Sequence, residues 1–335
     1  MFESSSSGYP AVMVRFGYTL MTEQAGPREL VGHATAAERA GFDFEVMSDH
    51  YSPWLDEQGH APYAWSVLGA VAQATERVDL MTYVTCPIMR YHPAVVAQKA
   101  ATVQLLSDGR FTLGVGAGEN LNEHVVGRGW PPANVRHEML DEALRIMRAL
   151  FEGGYVNFKG EHYRVDSAKL WDRPEQPVPV AVAVSGEQSI SGFAPLADAM
   201  IAVEPKEELT KSWRKAKSGD QRIIGQIPIC YDKSEEAAIE RAHAQFRWFG
   251  GGWKVNAELP GPSGFAGATQ FVRPEDVAES IPCGPKVDKI VDAVSAFWQA
   301  GFTDVALVQI GGEHQDEFFP FAEQELLPAL REASA

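Results

Sequence analysis

One rhythm restricts the fold of this chain more than any other feature. Within about the first 150 residues a short apolar run, a turn and a helical stretch follow one another four times. Val12–Thr19 reads as a strand, and Gly26-Pro27 then opens a helix that Gly41 closes, the usual asymmetry of proline at the start and glycine past the end. Phe42–Ser48 and Val78–Val84 read as the next strands, with helices over Tyr63–Thr75 and Pro93–Leu106. Phe111–Val115 is a fourth strand. Leu140, Leu144, Met147 and Phe151 mark one face of a helix that stops at Gly153-Gly154. Strands so spaced pair in parallel through crossover helices.

The second half keeps the rhythm less regularly. Pro179–Val184, Ala199–Val203, Ile223–Cys230 and Asp304–Ile310 read as strands, and Ile290, Val294, Phe297 and Trp298 as a helical face. Eight such strands predict an α/β chain folded as a (β/α)8 TIM barrel, with an open doubly wound sheet as the alternative. Residues 11–335 then form a single barrel behind a flexible N-terminus, residues 1–10. Two stretches interrupt it. Residues 153–176 alternate apolar and polar positions about Lys159-Gly160 and predict an inserted hairpin. Residues 250–285 begin with a Gly-, Pro- and aromatic-rich loop, of a length that compact domains reserve for function.

In such folds chemistry sits where strands end. Strand Phe42–Ser48 runs into Asp49-His50-Tyr51-Ser52-Pro53-Trp54. His50 is suited to proton exchange near neutral pH, and Trp54 offers a flat apolar wall; a purely structural histidine is the competing reading. The fourth strand ends in Gly114-Val-Gly-Ala-Gly118-Glu119-Asn120-Leu-Asn122-Glu123, where glycines admit a ligand to the backbone and Glu119 projects on the same barrel face as His50. The third ends in Tyr83-Val84-Thr-Cys86-Pro-Ile-Met-Arg90. Cys86 lacks a flanking base and reads as a buried thiol rather than a nucleophile, and Arg90 as an anion ligand or a loop tie.

Other chemistries lack their signatures. No GxSxG, HxH, HExxH, CxxC or full GxGxxG occurs, so the residues give no support to a serine hydrolase, a metal hydrolase or a Rossmann dinucleotide site. With a net charge of −16 the chain would repel nucleic acid and anionic membranes, leaving a small molecule as the expected partner. Three cysteines, a polar N-terminus and no long apolar run predict a cytoplasmic protein without a disulfide framework or a metal.

Ser48-Asp-His-Tyr-Ser-Pro-Trp54, Thr85-Cys-Pro-Ile-Met-Arg-Tyr-His-Pro93, Gly114 to Glu123 and Phe158-Lys-Gly-Glu-His-Tyr163 together resemble the luciferase-like flavin and deazaflavin oxidoreductases. The group most similar is the coenzyme F420-dependent glucose-6-phosphate dehydrogenases and related alcohol dehydrogenases. The resemblance implies F420 bound at the strand C-terminal ends, a cis peptide at Tyr83-Val84, and a homodimer. It implies cofactor contacts at Asp49, Tyr83, Val84, Cys86, Glu119, Asn122, Ser185 and Gly186. It further implies His50 as base, Trp54 as the residue orienting substrate, and Glu119 as holder of the proton at the ring's N1 edge. Lys206 and Lys254 fall at substrate-phosphate positions, but Ser280 stands where such enzymes carry an arginine. The expected reaction is hydride transfer between an alcohol or carbonyl compound and C5 of the deazaflavin. An FMN-dependent monooxygenase and a non-catalytic F420-binding protein are the alternatives.

Overall fold

A computed structural model describes residues 13–335 apart from residue 220; the N-terminal segment read above as flexible lies outside the described residues. Eight parallel strands close into a barrel: β1 (Arg15–Leu20), β2 (Phe44–Met47), β3 (Asp79–Thr82), β4 (Phe111–Val115), β7 (Val180–Ala183), β8 (Ala199–Ile201), β9 (Ile223–Ile229) and β10 (Asp304–Gln309). β5 (Val156–Lys159) and β6 (Arg164–Ala168) form a separate antiparallel hairpin. Closure comes from β1 pairing with both β2 and β10. This is the (β/α)8 architecture, and the open sheet is overturned.

Alternation along each strand sorts the side chains. Phe44, Val46, Met81, Ala181, Ala199, Ile201, Ile224 and Ala306 fill the barrel interior, so the centre is packed rather than hollow. Close packing explains two glycines. A Cβ on Gly17 would sit 2.4 Å from the Phe44 ring, and one on Gly114 would overlap the Thr82 carbonyl. At the N-terminal end of the barrel Arg15 and Arg222 flank the Phe44 ring and pair with Asp79 and Asp304.

The helices wrap this barrel. Helix Pro27–Ala40 starts on its proline and ends at Gly41 with φ 96°, as its sequence requires. Helices Glu187–Phe193, Glu207–Ala216 and Glu235–Phe246 supply crossovers that the sequence pattern did not mark. The hairpin is fixed at its turn. The Glu142 carboxylate accepts from the backbone amides of Glu161, His162 and Tyr163, and the Tyr163 hydroxyl donates to the Ile88 carbonyl at 2.7 Å. The stretch read as a loop over 250–274 carries short helices, Trp253–Asn256 and Pro262–Ala268, before Pro274–Ser280. Pro262 and Pro274 each open their helix, and tertiary contacts close these short turns.

Candidate active site

The C-terminal ends of β1 to β4 converge on His50. Its Nδ1 lies 3.0 Å from Glu23 Oε1 and its Nε2 lies 3.4 Å from Glu119 Oε2, with the Ser52 carbonyl a second neighbour of Nδ1 at 3.3 Å. Glu23 was not anticipated from the sequence. It stands three residues beyond β1, so the strand-end logic that selected His50 would also have found it. The other oxygen of Glu23 accepts from Ser48 Oγ at 2.5 Å and Thr22 Oγ1 at 3.2 Å, which fixes the carboxylate toward the imidazole. An Nδ1–H donated to Glu23 leaves Nε2 as the acceptor that faces Glu119. Burial pushes the Glu119 carboxyl up, against the opposing pull of His50.

Trp54 packs next to this pair, its ring 5.0 Å from the His50 ring. Two aromatic residues hold it: Trp248, just before the long insertion, stacks at 4.0 Å, and Phe265 within it meets the ring edge-on at 5.0 Å. The insertion also docks beside Glu119. Asn120 donates from its backbone to the Ala257 carbonyl and from its side chain to that of Glu258. The long stretch is therefore a wall of the site.

Asn122 works inward. Its side-chain oxygen accepts from the amides of Tyr51 and Ser52, while its Nδ2 donates to Glu119 Oε2 at 3.0 Å. It couples the β2 loop to the Glu119 carboxyl. Asp49 is engaged by the protein itself. Its two oxygens accept from Trp65 Nε1, Thr85 Oγ1, Tyr91 Oη and Arg90. Arg90 is the loop tie, bridging Asp49 and Glu123. Cys86 is buried against Gly118, and burial pushes its thiol up, away from nucleophile chemistry. Tyr83 and Val84 are half-buried, joined by a cis peptide bond, at the end of β3. The amides of Ser185 and Gly186, after β7, share the Ser189 hydroxyl, and the space beside Gly186 is open.

The three positions assigned to substrate phosphate do not form a cluster of free cations. Lys206 is exposed with its ammonium 2.5 Å from Glu204, Lys254 is exposed on the insertion, and Ser280 turns back to the Asp276 carbonyl.

Burial raises the Glu123 carboxyl to about 7, with Arg90 opposing the shift. A carboxyl so raised contributes stability below its unfolded pKa of about 4.3 and loses it as pH rises through about 7. Glu123→Gln should therefore flatten the fall in Tm between about pH 4 and pH 7. Scanning calorimetry on both proteins checks this, and parallel Tm curves would assign the pH dependence elsewhere.

The family described as Luciferase-like monooxygenase matches residues 11–304. The chain is 35% identical over 337 residues to an F420-dependent glucose-6-phosphate dehydrogenase of Amycolatopsis mediterranei (strain U-32), across 95% of this chain and 99% of that one. It is 32% identical to the F420-dependent glucose-6-phosphate dehydrogenase of Nakamurella multipartita, across 95% and 97%. Among solved structures it is similar to an F420-dependent secondary alcohol dehydrogenase in complex with an F420-acetone adduct. That match has a TM-score of 0.85 and 27% identity, over 95% of this chain and 99% of the other. Sequence and barrel together make this chain a member of the luciferase-like family.

Proposed function

We propose that this protein is a coenzyme F420-dependent oxidoreductase acting on the CH–OH group of a small alcohol, or in reverse on a carbonyl. The observation that carries the reading is His50, held between Glu23 and Glu119 against Trp54, in a chain similar to F420-dependent dehydrogenases. The residues fit that cofactor. A half-buried Tyr83-Val84 end and open space beside Gly186 suit a flat ring with a polar tail. F420, when bound, supplies hydride acceptance and donation at C5. Asp49 acts on this reading through the loop it fixes, and Cys86 as an apolar contact.

The chain's own groups manage position and protons. His50 Nε2 takes the substrate hydroxyl proton, and Glu23 on Nδ1 holds the tautomer and stabilises the resulting imidazolium. Trp54 orients the substrate carbon and keeps water from it. Glu119 holds a proton on its carboxyl, beside Nε2, for delivery to the reduced ring. Asn122 fixes the direction of that carboxyl.

Loss of F420 visible absorbance on addition of an alcohol is the direct assay. His50→Ala should lower turnover by about 10²–10⁴ and leave most F420 affinity. Wild-type turnover in the variant, or tighter binding of FMN than of F420, would sink the reading.

The substrate class follows from the cations. With Lys206 tied to Glu204 and Ser280 at the third position, a dianionic phosphate lacks a bidentate partner. A neutral secondary alcohol should give a higher kcat/KM than glucose 6-phosphate. Ser280→Arg should recover roughly 10- to 100-fold on the phosphate, the equivalent of one charge-assisted contact of about 1.5–3 kcal/mol. Efficient wild-type turnover of glucose 6-phosphate at micromolar KM overturns this.

We also infer a homodimer. The exposed positions of helix Ala64–Ala74 are Ser66, Ala70, Gln73 and Ala74, and those of helix Pro93–Leu106 include Val95, Gln98, Thr102, Leu105 and Leu106. Neither set carries a charge, although the chain bears −16. Such a patch suits burial against a second copy. Light scattering should give twice the subunit mass and Leu105→Glu should halve it; a monomeric wild type refutes the assignment.

A further inference from the structure

Cys230 follows β9, and Cys283 lies in the strand-like segment that ends the long insertion. The two residues face each other as a parallel bridge pair. The Cys230 amide donates to the Pro282 carbonyl at 3.0 Å, and the Gly284 amide to the Cys230 carbonyl at 2.9 Å. Neighbouring strands stand about 4.7–4.9 Å apart, inside the Cα separation of about 4.4–6.8 Å that a disulfide spans. Both thiols are free, and both are buried. A guanidinium completes the cluster. Arg241 is nearly buried and uses its two terminal nitrogens on Asp232 and the Tyr231 carbonyl. Its Nε is buried without a hydrogen-bond partner.

We propose that Cys230 and Cys283 are a dithiol–disulfide couple that locks the root of the insertion onto β9. The oxidant is a small hydroperoxide. The Cys230 sulfur attacks the outer peroxide oxygen, the O–O bond breaks, and an alcohol or water leaves with the thiol proton. The Cys283 sulfur then displaces water from the resulting sulfenic acid as the S–S bond forms. The two sulfurs together lose two electrons, and the peroxide gains them. Neighbouring Cys283 and Arg241 pull the Cys230 thiol down against its burial, which makes it the attacking sulfur, while Cys283 is pushed up and remains a thiol. Burial limits the reaction to small oxidants and to moments when residues 281–284 lift.

The consequence reaches the active site through packing. The stretch between the two cysteines carries Trp248 and Phe265, which hold Trp54. A bond at its root restricts the motion of that wall. The effect on catalysis rests on the function proposed above, whereas bond formation does not.

The test treats the full chain, with F420 bound, with hydrogen peroxide, followed by alkylation and peptide mass mapping. A cross-link between the Cys230 and Cys283 peptides is expected, with Cys86 still alkylated and dithiothreitol restoring both thiols. In Cys283→Ser the reaction should stop at a sulfenic acid on Cys230 that dimedone traps. Amide exchange over residues 246–284 should slow in the oxidised wild type and recover on reduction. Over-oxidation of Cys230 without a cross-link overturns the couple, and a cross-link with unchanged exchange overturns the lock. A slowed wall in a protein that reduces no F420 leaves the couple standing and removes the catalytic reading instead.

Discussion

The buried carboxylate of Asp49 is the interaction on which the site depends. Four donors from two segments meet on it: Trp65 from the following helix, and Thr85, Arg90 and Tyr91 from the loop beyond β3. Arg90 then carries the connection to Glu123 beyond β4. A buried ion pair adds little net stability, because desolvation offsets much of the attraction. Removing one partner, however, leaves an unpaired charge and costs about 3–5 kcal/mol. The network therefore serves register more than stability. It makes the β2, β3 and β4 loops a single body; His50 follows Asp49 directly, and Glu119 lies one helical turn before Glu123. Their spacing is inherited from this body.

A second constraint comes from the insertion. The barrel loops hold His50, and Trp54 is buried beside it together with residues of the insertion. Stacking with Trp248 and the edge contact with Phe265 turn that ring into a fixed surface, and the contacts from Asn120 anchor the insertion near Glu119. Aromatic pairs of this kind contribute about 0.5–1.5 kcal/mol beyond burial, enough to select one orientation of a wall but not to make it immobile. An insertion that is held at its tip by stacking and at its root by one strand-like bridge is suited to admit ligand and then close.

The barrel was legible because β/α repetition is a local signal: each strand of the first half is a run of apolar residues bounded by turn residues. The helix at Glu207–Ala216 escaped although Leu209, Thr210 and Trp213 lie on one face, because most of its ten residues are polar or charged and read as a solvated loop. The short helices after residue 250 escaped because their composition is Gly- and Pro-rich and their stability comes from contacts distant in sequence. Within the site, His50, Trp54 and Glu119 were legible as strand-end residues. The roles of Asp49 and Asn122 were not, since what a buried polar side chain holds depends on which loops the fold brings to it. Glu23, three residues beyond β1, was open to the same strand-end logic, but a lone acid there reads as part of an ordinary turn.

Placing a carboxyl on each nitrogen of one imidazole has a chemical consequence. Alcohol oxidation by hydride transfer releases one proton from the hydroxyl, and reduction of a deazaflavin consumes one. On the function proposed, His50 receives the first and Glu119 supplies the second. These two groups are 3.4 Å apart through Nε2 and Oε2, close enough that small motions bring them to hydrogen-bond distance. The proton taken from one substrate can then reload Glu119 for the next turnover without a path to bulk water. Glu23, on Nδ1, lowers the energy of the imidazolium that carries it. A buried site needs such an internal exchange more than an open one, because the Trp54 wall that excludes water from the reacting carbon also excludes it as a proton carrier.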